Sequence, residues 1–261
     1  MSVLIDDLRA ETADLDRLLG PSALEVPTPA EGWAVRDQII HLAWFDEAAT
    51  RAVTAPEAFR AEIREALAQG QDPDGLVTDR SSMPGEKVLE WFREARDQMI
   101  DALAAADPAV RLPWYGPEMG LVSFTTARLM ETWAHGQDVV DGLTAAGVGA
   151  VREPSDRLRH VAEIGVRARP WSFTVRGRPV PDAPVRVELT LPSEGVWTAG
   201  PLDAADVVRG SALDFCLVVT QRRHPADASL AVSGPVAREW IGIAQAFAGP
   251  PGAGRRPGQF A

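Results

Sequence analysis

The chain has 261 residues, a single cysteine, Cys216, and a single lysine, Lys87. One cysteine excludes an internal disulfide framework. Cys216 lies in the apolar run Leu213-Asp-Phe-Cys-Leu-Val-Val, where a thiol behaves as a small buried hydrophobe. Thiol chemistry here therefore has to come from a cofactor or a substrate. Runs of about 18 or more apolar residues are missing, which argues against a membrane span. The N-terminus, Met1-Ser-Val-Leu-Ile-Asp-Asp-Leu-Arg, lacks the basic region and long apolar core of a signal peptide, so a cytoplasmic protein is expected. Positive charge is also in short supply. Against 37 acidic residues stand 26 Lys and Arg, for a net charge of -11. A general nucleic-acid binder needs a basic surface to neutralise phosphate, so that class is disfavoured.

What is present is a large apolar complement, 46% of residues, in a chain long enough for one large or two moderate domains. The N-terminal part reads as helices. Residues 4–19 place Leu4, Leu8, Leu15, Leu18 and Leu19 at near-helical spacing, ended by Gly20-Pro21. A proline-rich loop, Val26-Pro-Thr-Pro-Ala-Glu-Gly-Trp33, precedes a second helix from about residue 34 to 53. Residues 57–69 read as a further helical piece after Pro56, and 71–75 as loop. A long helix over 85–106 buries Val88, Leu89, Phe92, Ala95, Met99, Ile100 and Leu103. The aromatic segment 112–120 is a connection that either lines a pocket or simply packs. Residues 123–146 form another long helix, with Ser123 as cap and Gly147 and Gly149 at its end. Long amphipathic helices joined by loops predict a four-helix bundle with its site built from inward-facing side chains.

After about residue 150 the character changes. A helix over 154–169 leads into runs read as strands at 171–175, 185–191, 195–199, 206–209 and 229–233. Residues 212–220 read as helix, and 235–247 as a helix with Pro235 in its first turn. The expected organisation is a metal-binding bundle over 1–150, a small α+β domain over 151–248, and a flexible Gly/Pro/Arg tail over 249–261. No internal repeat is visible.

The chemistry concentrates in Glu131-Thr-Trp-Ala-His135-Gly-Gln-Asp138. Residues four apart on a helix share a face, so Glu131 and His135 can hold one divalent ion, with Asp138 near that face. His41 would be the third ligand if its helix packs alongside. A lone histidine, or a Glu/His pair at this spacing, is common without a metal. Their joint place among core-facing residues is what selects them, since a buried carboxylate needs a partner to offset its desolvation.

Trp33-Ala-Val-Arg-Asp-Gln-Ile-Ile-His41-Leu, followed by Glu131-Thr-Trp-Ala-His135-Gly-Gln-Asp138, resembles the DinB/YfiT-like superfamily, and within it the mycothiol-dependent maleylpyruvate isomerase-like family in an actinobacterial metal-binding branch. The resemblance covers most of residues 4–146 as a DinB-like bundle, with weaker motifs in the α+β part. It implies that His41, Glu131 and His135 ligate a divalent metal, zinc first, with nickel or iron as alternatives. It implies a role in activity for Asp138, and matches Trp33 and Arg36 to the cofactor-binding approach to the first ligand. An arginine of the second domain assists the isomerase, and Arg222 or its neighbour Arg223 is the counterpart. The implied cofactor is mycothiol, whose thiol loses its proton more readily beside a metal and attacks an electrophilic carbon or adds reversibly to a conjugated double bond. Asp138 would orient that thiol or take its proton; the alternative is a solvated helix charge. The expected partner is a small-molecule substrate. A homodimer is open, because eight tryptophans can serve a surface or a core. Two other readings stay open: a metal-dependent hydrolase or lyase without thiol, and a non-catalytic metal and small-ligand binding protein.

Overall fold

In the computed structural model, which describes residues 1–70, 80 and 82–260, the chain divides into two units, Met1–Arg152 and Glu153–Ala261. The expected loop at 71–75 lies outside the described residues.

The first unit contains helices α1 (Ser2–Asp16), α2 (Val35–Thr54), α3 (Pro56–Ala68), α4 (Gly85–Ala105) and α5 (Leu121–Ala145). Helices α1 and α2 each pack on both α4 and α5, which closes a ring of four. The inward stripes of α1 and α4 are those the spacing predicts, with Leu8 and Leu15 and Phe92 and Met99 buried; Ile39 and Leu42 from α2 and Leu129 and Val139 from α5 are buried with them. The helical run breaks before Pro56 as expected: α2 stops at Thr54, Ala55 leaves helical backbone, and Pro56 starts α3, where its missing N–H costs nothing. Helix α5 begins at Leu121, ahead of the expected cap Ser123, because the segment before it forms a short antiparallel pair, β1 (Arg111–Leu112) with β2 (Met119–Gly120). At its other end Gly147, at φ 76°, closes a Schellman turn in which Val148 N–H donates to the Leu143 carbonyl and Gly147 N–H to that of Thr144.

The loop before α2 is tied down rather than loose. Arg36 N–H donates to the Leu24 carbonyl, Val35 N–H to Val26, and Thr28 N–H to Trp33. The Asp37 carboxylate accepts from Ala34 N–H at 2.8 Å and so holds the first turn of α2. This loop presses on α5 at Gly142, where a Cβ would lie 2.6 Å from the Pro27 carbonyl oxygen.

The second unit holds α6 (Leu158–Arg167), α7 (Arg169–Thr174), α8 (Ala212–Val219), α9 (Pro235–Ile243) and a four-stranded sheet in the order β4-β3-β5-β6. Strand β3 (Val185–Thr190) runs parallel to β5 (Asp206–Ser211) and antiparallel to β4 (Val196–Ala199), while β6 (Ala231–Ser233) runs antiparallel to β5. Val185, Val187 and Leu189 alternate inward, and Glu188 on the opposite face accepts from Arg209 at 2.7 Å. Ser211 caps α8 by accepting from Asp214 N–H at 2.9 Å. A helical unit followed by a small mixed-sheet unit is the fold class that the patterning predicts.

One element differs in kind. Residues 171–175, expected as a strand, form the end of α7 and its C-cap, Val175. Pro170 sits in the first turn of that helix, and Phe173 is fully buried from it. The Ser172 hydroxyl accepts from Gln245 N–H at 3.0 Å, so tertiary contacts override a short β-prone run. Helix α9 ends at Ile243, short of the expected 247. Described residues 249–260, expected as a flexible tail, carry no helix or strand; Gly258 N–H donates to Asp227 at 2.8 Å, and Arg223 lies over the Phe260 ring at 4.0 Å. Cys216 is fully buried on α8, where its thiol donates to the Leu158 carbonyl at 3.4 Å and burial pushes its pKa well up. Among the described residues no helix is long and apolar enough to cross a membrane.

Because the Pro27 carbonyl occupies the space of a Gly142 side chain, Gly142→Ala is expected to cost about 1–3 kcal/mol by overpacking backbone against backbone. Urea unfolding would show this as a lower midpoint with unchanged slope; an unchanged midpoint would mean that the loop yields at no cost.

Candidate metal centre

Helix α2 supplies His41 and helix α5 supplies Glu131 and His135, and one ligand atom from each lies within 4.8 Å of the others. Both histidines are buried, while Glu131 keeps some exposure, so the cluster opens on the carboxylate side. The His135 Nε2 atom stands 3.1 Å from Glu131 Oε2, as the four-residue spacing requires.

The neighbours of His135 place a hydrogen on its Nδ1 atom. The Thr28 hydroxyl donates to the Trp33 carbonyl at 2.8 Å and accepts from Gln38 Nε2 at 3.0 Å. This fixes the Gln38 amide so that its oxygen faces His135 Nδ1, at 2.5 Å. An amide oxygen only accepts, so Nδ1 carries the hydrogen and the neutral ring keeps its lone pair on Nε2. That lone pair faces a carboxylate. Burial pushes the Glu131 carboxyl up, but with a proton on His135 Nε2 the hydrogen bond and charge of that ring, with the charges of His41 and Arg128, more than offset this and hold it at about 2. Two electron-rich atoms at this distance need a proton or a cation between them. A divalent ion, with His41 as third ligand, satisfies both, and the donor set fits zinc, nickel or iron. The chain Trp33–Thr28–Gln38–His135 is the kind of outer support that would orient a metal-ligating histidine.

Trp33 covers the cluster from the loop, with its ring 5.5 Å from that of His41 and stacked on that of His135 at 6.2 Å. Phe45, one turn after His41, lies 4.5 Å from its ring. Asp138 is 1% exposed on α5, so it is not a solvated helix charge. Arg36 directs its guanidinium to Glu25 and, at 2.6 Å, to the Met83 carbonyl; it braces the loop that carries Trp33. Arg222, in the second unit, follows the end of α8 and donates to the Thr220 carbonyl at 2.7 Å.

Four residues that the sequence pattern does not single out bear on the site. On α2, Asp46 is fully buried between two arginines: Arg96 of α4, at 2.6 Å, and Arg128 of α5, at 2.8 Å. Arg96 also donates to the Thr132 hydroxyl. Burial pushes the Arg96 guanidinium below its ordinary value; Asp46 pulls it back and Arg128 adds to the fall. The signal available in sequence was an arginine inside the apolar stripe of α4, between Phe92 and Met99. Gln38 was equally missed, since a glutamine one turn before a ligand has no local mark.

Residues 5–140 match the family model of the mycothiol maleylpyruvate isomerase N-terminal domain, and the chain belongs to that family. Two proteins of Mycobacterium tuberculosis, from strains CDC 1551 / Oshkosh and ATCC 25618 / H37Rv, are each 44% identical over 259 residues, covering 96% of this chain and 97% of theirs; both carry the description uncharacterized. The fold is similar to the crystal structure of the mycothiol-dependent maleylpyruvate isomerase, with TM-score 0.56 at 16% identity over 90% of this chain and 95% of that one. A histidine-to-alanine mutant of that isomerase matches with TM-score 0.54 at 18% identity, with the same coverage.

Gln38→Leu keeps the volume but removes the acceptor that fixes the His135 tautomer. It is expected to weaken zinc binding about 10–100-fold, measured by competition with a chromophoric chelator. Unchanged affinity would show that Gln38 does not orient the ligand. Affinity in the unaltered protein should fall with falling pH, as protons compete for the histidine nitrogens.

Proposed function

We propose that the protein is a divalent-metal-dependent enzyme that activates a low-molecular-weight thiol, mycothiol by family, for thiol-assisted isomerisation of, or S-transfer to, a small electrophilic substrate. The observation that carries this is His135 Nε2 set 3.1 Å from the Glu131 carboxylate, with Nδ1 engaged by Gln38 and a His41 nitrogen in reach of the same point. Family membership supports the isomerase class and the choice of thiol. When bound, the ion supplies the positive charge that lowers the pKa of a coordinated thiol and makes it a nucleophile at neutral pH. Three protein ligands are the number that leaves a position for an exchangeable group.

The chain's own residues take the remaining roles. Glu131 is ionised across the neutral range, so it serves as a ligand without releasing a proton. Gln38 holds His135 in its ligating tautomer, and Trp33 shields the histidine rings from water on the loop side. Asp138, withdrawn from solvent one turn beyond His135, is assigned the thiol proton, which it returns when an isomerised product leaves. Arg36 acts through the loop it braces. The internal thiol takes no part, since Cys216 is fully buried with a raised pKa.

Elemental analysis of the purified protein beside His41→Ala, followed by mycothiol titration of the metal-loaded form, tests the reading. About one metal per chain is expected, lost in the variant, with saturable thiol binding at the metal. Asp138→Asn should keep the metal and lose turnover by about 10²-fold or more. Metal without thiol binding would move the protein to a thiol-independent hydrolase or a ligand carrier, and no metal under replete conditions would sink the proposal.

A further inference from the structure

The aromatic segment between β1 and β2 has no role in the scheme above, yet it stands beside the metal cluster. Trp114 and Tyr115 each lie 5.9 Å from the Phe45 ring, which itself lies 4.5 Å from the His41 ring. Tyr115, the only tyrosine in the chain, stacks on Trp44 at 6.0 Å. Behind these rings Phe59 and Phe124 are 1% exposed, and Trp114 meets Phe124 edge-on at 4.9 Å. The arrangement is graded. Phe45, Phe59 and Phe124 are buried, while Trp44, Trp114 and Tyr115 are half-buried beside them. Aromatic faces left partly open beside a ligand set form a surface on which a planar group can stack.

The charge around these rings does not suit a small dianion. Arg51 lies over the Phe59 ring at 5.7 Å, but it is ion-paired with Glu62 at 3.3 Å. Burial pushes the Tyr115 phenol up to about 12, so it presents a neutral ring. A tryptophan packed only for core volume would be buried like the phenylalanines, whereas Trp114 and Trp44 each keep part of their surface accessible.

Resting on the thiol-dependent reading, we infer that the Trp114–Tyr115 turn, with Trp44, is the acceptor subsite, and that it selects electrophiles bearing an aromatic ring or an extended planar apolar group. The Phe45 ring links this subsite to His41, and Trp33 flanks the histidines from the loop. A thiol held at the metal would then meet an acceptor whose planar part is stacked one small-molecule length away.

Two thioethers of mycothiol separate this inference from the reading beneath it. The S-(2,4-dinitrophenyl) and S-methyl conjugates are titrated calorimetrically into the metal-loaded protein and into Trp114→Leu/Tyr115→Leu. In wild type the aryl conjugate is expected to bind about tenfold more tightly, the scale of one well-made aromatic contact. In the variant the preference should fall to about twofold, with metal content and S-methyl affinity unchanged. Equal binding of the two conjugates in wild type overturns the inference, and so does a preference that survives the variant. The wild-type comparison stands alone should the double variant fail to fold. If neither conjugate binds, titration with mycothiol itself decides the thiol reading, and 2,4-dinitroaniline decides the subsite: binding lost in the variant supports it, and no binding to wild type overturns it.

Discussion

The bundle depends on one buried carboxylate. Asp46 leaves water entirely and is held by Arg96 and Arg128, so α2, α4 and α5 converge on a single anion. Breaking such a group by removing one partner typically costs about 3–5 kcal/mol, because an uncompensated charge stays behind. Apolar stripes alone would tolerate a slide of one helix along another. A hydrogen-bonded ion cluster does not, and it acts here as a register pin. Gln38 meets His135 at one level of the α2–α5 pair, and Asp46 meets Arg128 at another. Later positions on α2 thus face earlier positions on α5, and the two helices run antiparallel. With both levels fixed, His41 has little choice but to face the Glu131–His135 turn. Two guanidiniums share one carboxylate, so the cluster has excess positive charge, and Arg128 lies a single helical turn from Glu131. Part of what keeps that ligand ionised comes from the same pin.

Above this pin, order is passed along from loop to ligand. The tight approach at Gly142 seats Pro27 and Thr28 against α5. Thr28 orients Gln38, and Gln38 orients His135, while the same loop delivers Trp33 over both histidine rings. Each contact is modest. Together they convert a helical histidine with freedom to flip into one with a defined tautomer. Pre-organisation of this kind moves the cost of ordering a site from the moment of binding to the moment of folding.

How much of this is legible in the residues follows from how local each signal is. Glu131 and His135 are readable because helical spacing alone stacks them, and His41 because it interrupts an apolar stripe. The strands of the second unit declare themselves by alternation, as in Val185, Val187 and Leu189. Gln38 and Asp46 are not readable this way: their partners lie 97 and 82 positions away, and nothing local separates them from other polar residues on α2. Asp138 shows the same limit. Its position three residues after His135 is compatible with solvent or with burial, and only the packed bundle decides for burial. The misread segment at 171–175 is a short run whose β-branched and aromatic residues suit a strand, while Pro170 and the Ser172–Gln245 contact suit a helix. The family resemblance added what spacing cannot, namely a thiol.

The enclosure of Cys216 has a consequence for durability. A protein that works among small thiols lives with their oxidised forms, and an accessible cysteine would invite mixed-disulfide formation. Here the lone sulfhydryl is spent on a carbonyl inside the second unit and disfavours its anionic form. The chain thus offers disulfide exchange no ready foothold, and it should ride out swings in cellular redox poise that would modify a more exposed cysteine.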